Sequence, residues 1–426
     1  MSSLEWMPDL AAALDELVPP DDSSRADWQD VVARTGKRRA HARIGRRRLH
    51  RSPRLAIVVA LLVLLLVGCA TATYLLLRGN GGIALGGGAA GQLLIVGPDG
   101  SQLHGDPCSA PGNGACLVND PAWSPDGTRV AFVAGRHHPC IVHRCAGSNF
   151  LYVAAADGTG IRKLARCGFC GDLDGSNLAW SPNGRWIVFN RDGHDKEFLW
   201  IVASAGGKPH RLTHCRRCDS KPTWSPDGRL LLFQRSSGSA RSGLYTIRQD
   251  GSHLTKIRSN AADAAWSPDG RRIAFDTITV RRRRKDGSLY WDGGGIAVVE
   301  ADGSQPRLLT PGRWARGRSP SDPVWSPDGR KLAFIRVPIG GKAGCSRCTK
   351  EEIWTMSADG SDRKRLYHAR TGDTYSAPPI WSPDGQKIAF GSSGIFVINA
   401  DGTGLKEISP LFIQQLSWQP PPGKTK

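Results

Sequence analysis

One pattern of apolar and polar positions occurs six times along the chain. Each copy opens with Trp-Ser-Pro-Asp-Gly, or Trp-Ser-Pro-Asn-Gly in the second copy, and continues into a short apolar run that ends in phenylalanine, as in Leu231-Leu232-Phe233. Pro, Asp and Gly fit successive positions of a tight turn, and a short apolar run bounded by turns is typical of a buried strand. The pattern therefore predicts a β-hairpin in every copy. The structural tryptophans of the repeat are Trp123, Trp180, Trp224, Trp266, Trp325, Trp381 and a final Trp418.

A second hairpin completes each repeat. Another apolar run leads into a second turn that is usually Asp-Gly, as in Leu244 to Ile247 followed by Asp250-Gly251. Each repeat is thus predicted to form a four-stranded antiparallel meander. The repeats are spaced from 42 residues (Trp224 to Trp266) to 59 residues (Trp266 to Trp325) apart. This spacing suits one propeller blade per repeat, and radial stacking of blades covers both faces of each sheet.

The two ends of the repeat region supply one more blade. Residues 82–85 and 93–100 resemble the last three strands of a blade, and residues 415–419 resemble the first strand that this blade lacks. The predicted fold is therefore all-β, a seven-bladed β-propeller closed by both ends of the repeat region. A six-bladed propeller is the alternative if residues 82–105 form no blade.

Residues 82 to 420 resemble the propeller repeats of TolB-type proteins, which are similar to WD repeats. The shared pattern is Pro-x-Trp-Ser-Pro-Asp-Gly-x-x-Ile-Ala-Phe followed by Ala-Asp-Gly and Leu-Thr, and it is seen here from Pro121 to Phe132 and from Pro222 to Phe233. The resemblance implies a propeller. It does not select a function, because the family includes periplasmic assembly factors, lyase propellers and gating domains of serine peptidases.

The N-terminal region predicts a single membrane span. Residues 55–77 form a 23-residue stretch without a charge, long enough for a transmembrane helix, and residues 37–54 hold nine Lys or Arg and no acid. The positive-inside rule then gives a cytoplasmic tail (1–54, acidic then basic), a signal anchor (55–77) and an extracytoplasmic propeller (78–426) at the cell membrane. Alternatively, Leu66-Val67-Gly68-Cys69 resembles a lipobox, in which Cys69 is lipidated.

The charge predicts which partners the propeller attracts. The formal net charge is +19, of which residues 1–54 carry +3, so the region after the span carries +16. A charge of this size attracts polyanions over long distances. Because an exported domain does not meet genomic DNA, we expect an envelope protein or an anionic polymer as partner and no nucleic acid. We expect no cofactor.

Ten of the eleven cysteines follow the predicted span and occur in close pairs. In an exported domain such pairs predict disulfides, although spacing alone does not fix their connectivity. A structural zinc site formed by Cys167, Cys170, Cys215 and Cys218 is the alternative. The disulfide candidates are Cys108, Cys116, Cys140, Cys145, Cys167, Cys170, Cys215, Cys218, Cys345 and Cys348.

The connections between strands differ between the two predicted faces of the ring. Successive turns of a meander alternate between faces, so the tight Asp-Gly turns share one face and the long, variable connections share the other. Variable insertions on one face often mark a binding surface. We call this surface the basic variable face, and its candidate binding residues are His137, His138, Arg281, Arg282, Arg283, Arg284, Arg313 and Arg316.

No contiguous catalytic motif is recognisable in the sequence. Neither a Gly-x-Ser-x-Gly elbow nor a His-Glu-x-x-His, P-loop or dinucleotide-binding motif occurs. The sequence therefore favours a protein that is not an enzyme, a membrane-anchored propeller that acts as a binding or scaffolding module at a bacterial cell envelope, with no catalytic residue. The alternatives are a lyase-like enzyme acting on acidic glycans and a transmembrane sensor that signals through the N-terminal tail.

Overall fold

The computed structural model describes most of the repeat region. Among the described residues no helix has the length and apolar character that a membrane crossing requires. The predicted tail (1–54) and the predicted transmembrane helix (55–77) lie outside the described residues. The described residues are 82–86, 93–96, 102–105, 115–137, 147–168, 178–192, 197–214, 218–236, 243–277, 281–283, 289–291, 294–310, 318–338, 351–369, 377–410 and 415–421.

The described part of the chain is built from thirty β-strands. They are β1 (Ile83–Gly86), β2 (Leu93–Val96), β3 (Gln102–Gly105), β4 (Ala115–Trp123), β5 (Arg129–His137), β6 (Gly147–Ala155), β7 (Arg162–Gly168), β8 (Leu178–Trp180), β9 (Trp186–Asp192), β10 (Glu197–Ala203), β11 (His210–Arg211), β12 (Cys218–Trp224), β13 (Leu230–Ser236), β14 (Gly243–Arg248), β15 (Thr255–Ser259), β16 (Ala261–Trp266), β17 (Arg272–Thr277), β18 (Arg281–Arg283), β19 (Leu289–Trp291), β20 (Ile296–Glu300), β21 (Arg307–Leu308), β22 (Arg318–Trp325), β23 (Lys331–Pro338), β24 (Glu352–Ser357), β25 (Lys364–His368), β26 (Ala377–Trp381), β27 (Lys387–Gly391), β28 (Ile395–Asn399), β29 (Lys406–Ser409) and β30 (Gln415–Trp418).

These strands form seven four-stranded antiparallel sheets, one for each blade, and one separate hairpin. Blades one, two and three are β4–β7, β8–β11 and β12–β15, and blades five and six are β22–β25 and β26–β29. In blade four the hairpin β18–β19 lies between the second strand, β17, and the third strand, β20. The predicted seven-bladed β-propeller is confirmed.

The seventh blade joins the two ends of the propeller. Strand β30 pairs antiparallel with β1, with Trp418 opposite Ile83. The Gln419 side chain accepts a hydrogen bond from the Gly82 amide at 3.0 Å and donates one to the Gly127 carbonyl at 2.8 Å. Because these strands form a blade, the six-bladed alternative is wrong.

Each repeat tryptophan ends the innermost strand of its blade, and the indole N–H groups of Trp180, Trp224, Trp325 and Trp381 donate to a carbonyl of the preceding blade. The Trp180 indole N–H donates to the Ala122 carbonyl of blade one at 2.9 Å, and that of Trp224 donates to Ala179 of blade two at 3.3 Å. The phenylalanine that follows each turn is almost fully buried between blades. These phenylalanines are Phe132, Phe189, Phe233, Phe275, Phe334 and Phe390.

The Ser-Pro-Asp-Gly segments form closed turns. In blade five the Ser326 hydroxyl donates to Asp328 Oδ1 at 2.6 Å, the Arg330 amide donates to the same oxygen at 3.0 Å, and the Lys331 amide donates to the Ser326 hydroxyl at 2.9 Å. Gly329 has a φ of 68°, a conformation that glycine adopts without strain. The hydrogen bonds from Ser326 and Arg330 hold the pKa of Asp328 below its ordinary value.

Candidate functional site

The innermost strands of five blades contain a bulge at the same place. In blade four the pairing runs from Ala262 opposite Asp276 to Ala265 opposite Ala274, so two residues, Asp263 and Ala264, lie opposite one, Phe275. This is a β-bulge, a feature that is frequent next to functional sites. The same register shift occurs in blades one, three, five and six, each time opposite the buried phenylalanine.

Four of the bulges hold a polar residue in the left-handed conformation. The φ angles are 53° at Asp120, 52° at Lys221, 47° at Asp263 and 52° at Asp322. Aspartate adopts this conformation more readily than most residues, whereas lysine has no such preference. A strained backbone of this kind is retained where the surrounding structure enforces it, and it is common at functional sites.

The bulged strands surround the propeller axis. The innermost strands β4, β8, β12, β16, β22, β26 and β30 each contact the next, and β30 contacts β4, so they enclose a central channel. Residues at the bulges of neighbouring blades therefore lie side by side on the channel wall. The side chains of Lys221 and Asp263 are 26% and 18% exposed, so both are partly accessible.

Lys221, Asp263, Asp276 and Asp322 form a group that we call the channel cluster. The Lys221 ammonium of blade three forms an ion pair with Asp263 Oδ1 of blade four. Asp276 comes from the second strand of blade four and shares a hydrogen bond with Asp263. Burial lowers the pKa of Lys221, but the charges of Asp263, Asp322 and Asp276 and the hydrogen bond to Asp263 outweigh this effect and raise it.

Asp276 is the most perturbed group of the cluster. Burial, and then the negative charges of Asp263 and Asp322, raise the pKa of Asp276 well above its ordinary value, and Lys221 only partly opposes them. Asp276 is therefore protonated at a higher pH than an ordinary aspartate. A carboxylic acid beside a carboxylate and an ammonium group can donate, accept and share protons, which is the chemistry of a general acid–base site.

The structure gives only partial positions for the residues of the basic variable face. His137 is the last residue of β5, and Arg281, Arg282 and Arg283 form β18. His137 ends the second strand of blade one and β18 follows the second strand of blade four, so both lie towards the same face of the ring. The other four candidates lie outside the described residues: His138, Arg284, Arg313 and Arg316. The binding role of this face stays a prediction.

The cysteine predictions rest mostly on residues outside the described part. Cys167 in β7 is fully buried and pairs with no other described cysteine. Its predicted partner Cys170 is outside the described residues, so the disulfides and the alternative zinc site stay predictions. Among the described residues there is no group of three or more His, Cys, Asp or Glu arranged to hold a metal ion.

Sequence reasoning missed the channel cluster, although two repeat positions contain the signal. The residue three places before the tryptophan forms the bulge and is polar at Lys221 and Asp263. The residue after the buried phenylalanine is polar in three successive blades, at Asn190, Gln234 and Asp276, and at Gln234 and Asp276 it lies beside the bulge. An alignment of the repeats to one another, rather than a search for contiguous motifs, would have found both positions.

Comparison with known proteins identifies the class of the fold and its repeats. Residues 113–321 match the family described as TolB beta propeller domain. A structure of a TolB from Agrobacterium tumefaciens is similar over 72% of this chain and 95% of that chain, with 21% identity and a TM-score of 0.44. The propeller repeats are similar to those of TolB propellers, and the resemblance seen in the sequence is confirmed.

Other similar proteins are enzymes by description. The chain is 33% identical over 110 residues to a protein described as uncharacterized peptidase YuxL of Bacillus subtilis, a match that spans 25% of this chain and only 15% of that protein. A prolyl endopeptidase structure is similar over 78% of this chain and 50% of that chain, with 12% identity and a TM-score of 0.53.

These relatives correct one expectation drawn from the sequence. The prediction that the protein is not an enzyme is wrong, because its relatives include a peptidase and its structural neighbours include a prolyl endopeptidase, which point to enzymatic propeller proteins. The prediction relied on contiguous catalytic motifs. Residues that meet in a propeller channel come from separate blades, as Lys221 and Asp263 do, and such residues form no contiguous motif.

Proposed function

We propose that this protein binds a ligand in its central channel and performs proton-transfer chemistry on it with the channel cluster. The observation that carries the proposal is the junction of blades three and four, where Lys221 forms an ion pair with Asp263 at a β-bulge and Asp276 lies beside the same bulge. Burial and neighbouring negative charges raise the pKa of Asp276, which supports the proposal. In this arrangement Asp276 acts as general acid and Asp263 as general base. The reaction class that fits is acid–base-assisted bond cleavage.

A purely structural role explains the channel cluster less well. A pair of apolar side chains would join blades three and four at least as well as a partly buried ion pair, because the desolvation of charges opposes the attraction between them. The pair also requires Lys221 in a left-handed conformation, which costs about 1–3 kcal/mol for a residue other than glycine. The ion pair and the left-handed conformation of Lys221 are therefore more consistent with a functional site than with a purely structural contact.

The location at a cell envelope is also part of the proposal. The uncharged stretch 55–77, preceded by nine basic residues, supports an N-terminal anchor with the propeller outside the cytoplasm. The formal charge of +16 after the predicted span supports attraction of the propeller to an anionic envelope polymer through the basic variable face. In this scheme the face concentrates the protein near its substrate and the channel carries out the chemistry.

The test is an activity and binding screen of the full-length protein in lipid nanodiscs against peptides, esters and acidic oligosaccharides. Asp276→Asn is the test variant, and Asp302→Asn, in the exposed turn between β20 and β21, is the matched control. We expect an activity that falls by at least about a hundredfold in Asp276→Asn and persists in the control, as for loss of a general acid. If no activity or binding depends on Asp276, the proposal is wrong.

A further inference from the structure

Several blades share a position at which a basic residue of the outermost strand has a partner inside its own blade. The base lies opposite the aromatic residue of the third strand, and its partner is the residue two places before that aromatic. In blade one the Lys163 ammonium lies 3.7 Å from the centre of the Phe150 ring. In blade two the Arg211 guanidinium lies 3.5 Å from the centre of the Phe198 ring. In both blades the cation is therefore bound by its own sheet.

In blade five the partner at this position is a carboxylate. Arg365 lies opposite Trp354, and its guanidinium donates to Glu352 Oε1 at 3.2 Å. The Nδ1 atom of His368 lies 3.4 Å from the same oxygen. Blade five thus shows that a carboxylate fits this place and is contacted by two residues of the outermost strand.

Blade three has the basic residue but lacks its partner. Lys256 lies opposite Tyr245, and the residue two places before Tyr245 is Gly243. The Lys256 side chain lies beside this glycine, since its Cε atom would be 3.7 Å from a Cβ atom at position 243. Lys256 is exposed, and its ammonium group has no hydrogen bond, ion pair or ring contact among the described residues. Blades four and six differ, because the position of the base is Leu308 in one and Glu407 in the other.

A second cation without a partner lies close to the first. Ile257 is buried, whereas Lys256 and Arg258 on either side of it are exposed, with Cα atoms at most about 7 Å apart along β15. The Arg258 side chain also has no partner among the described residues. Both cations line a cleft of about 380 Å³, together with Ile257, Ser259 and Asn260. None of these five residues is an acid, so the described wall of the cleft is positively charged.

The edge of β15 adds backbone groups to this cleft. β15 is the last strand of its sheet, and no described strand pairs with its outer edge. Its five residues make it longer than β11 and β21, which have two residues each. An extended peptide can add to such an edge through backbone hydrogen bonds, and its alternate side chains then point to the same side. The spacing of Lys256 and Arg258 therefore matches two acidic residues that are separated by one residue.

We propose that the outer edge of blade three binds an extended acidic peptide segment of a partner protein, with alternate carboxylates bound by Lys256 and Arg258. A ligand carboxylate then has the role that Glu352 has in blade five. The formal net charge of +19 favours the approach of an acidic partner. This edge lies on the outermost strand of the blade, away from the channel, so the inference goes beyond the proposed function and does not depend on it.

The experiment is fluorescence anisotropy with the full-length protein in nanodiscs and short labelled peptides. The probe peptide alternates glutamate with threonine. One matched peptide has the same composition with its glutamates in adjacent pairs, and a second has glutamine in place of every glutamate. We expect the alternating peptide to bind at least about fivefold more tightly than either matched peptide, the upper size of one exposed ion pair. It should also slow amide hydrogen exchange in β15 and not in β7.

Variants assign the binding to the two cations. Lys256→Gln and Arg258→Gln are each expected to weaken binding of the alternating peptide about fivefold. Lys163→Gln is the matched control, because it removes the same charge from the same repeat position of blade one, where the ammonium lies over Phe150. At physiological salt it should change the affinity less than about twofold, since screening limits the effect of a distant charge. Melting curves check that every variant folds.

Four results would overturn the inference. Equal binding of the alternating and the paired peptide would exclude recognition by strand spacing. Unchanged binding in both Lys256→Gln and Arg258→Gln would place the peptide elsewhere on the protein. Competition by inorganic phosphate or glucuronate at the concentration of the peptide would mean a general anion site. No binding of the alternating peptide would leave the two cations as residues that protect an exposed edge from aggregation.

Discussion

Replacing Asp276 with asparagine isolates the effect of its proton. Asparagine has nearly the shape of a protonated aspartate, keeps a carbonyl oxygen, and carries an amide that can donate to Asp263. It differs in that it cannot ionise. Burial and the charges of Asp263 and Asp322 raise the pKa of Asp276 well above the ordinary value of 3.8, so the folded protein holds a proton that the unfolded chain releases.

The size and sign of the effect follow from this difference. The stability that the protonated group contributes is complete below the pKa of the unfolded chain and is lost as the pH rises through the folded-state pKa. Each pH unit above the unfolded pKa lowers the free energy of unfolding by about 1.4 kcal/mol while the proton is held, which sets a limit of about 4 kcal/mol at pH 7. We therefore expect Asp276→Asn to stabilise the fold at pH 7 by an amount below this limit.

The assay is urea unfolding of the full-length protein and its variants from pH 4 to pH 8. The gain in Asp276→Asn is expected to shrink towards zero at pH 4. Asp302→Asn is the matched control of opposite sign, because hydrogen bonds from Ser304 lower the pKa of Asp302. The Asp302→Asn variant should therefore be less stable than wild type at pH 7, and this difference should disappear in acid. A loss of stability in Asp276→Asn at pH 7 would show that Asp276 is ionised and would refute the reasoning.

Three further predictions test the propeller itself. Trp180→Phe loses an interblade hydrogen bond, whereas Trp266→Phe loses none, because the Trp266 indole nitrogen has no partner among the described residues. Urea unfolding should therefore show a free energy of unfolding about 1 kcal/mol lower for Trp180→Phe than for Trp266→Phe. Equal losses in the two variants would contradict the role of Trp180 in linking the blades. Gln419→Ala loses both hydrogen bonds that close the ring and should raise the amide hydrogen-exchange rates of β1 and β30 more than those of other strands. An equal change in all strands would contradict this prediction. Ser326→Ala should bring the pKa of Asp328, measured by carboxyl NMR, back towards its ordinary value; an unchanged pKa would mean that the serine does not cause the shift.

The blades could be predicted because their causes are local. A Ser-Pro-Asp-Gly turn such as the one ending at Gly329 is closed by its own side chains, and the strands beside it show apolar runs. The seventh blade could be predicted because strand patterns at the two ends of the repeat region each lacked the rest of a blade. The pairing of β30 with β1 confirms this prediction. Local turn chemistry and strand periodicity therefore determine most of this fold.

The channel cluster could not be predicted in the same way because its causes are not local. Lys221 and Asp263 are 42 residues apart and meet only because two innermost strands lie side by side. The raised pKa of Asp276 depends on burial and on charges from two blades. In the sequence these residues look like ordinary polar positions, and the arginine-rich connections are the more conspicuous feature.

The most direct test compares the channel with the basic variable face in the same assay. A ligand or substrate from the screen is measured with wild-type protein, with Asp276→Asn and with the triple variant Arg281→Ala, Arg282→Ala, Arg283→Ala. We expect Asp276→Asn to lower turnover by at least about a hundredfold and the triple variant to change mainly the salt dependence of binding. Turnover that survives in Asp276→Asn and is lost in the triple variant would contradict the assignment of the site to the channel.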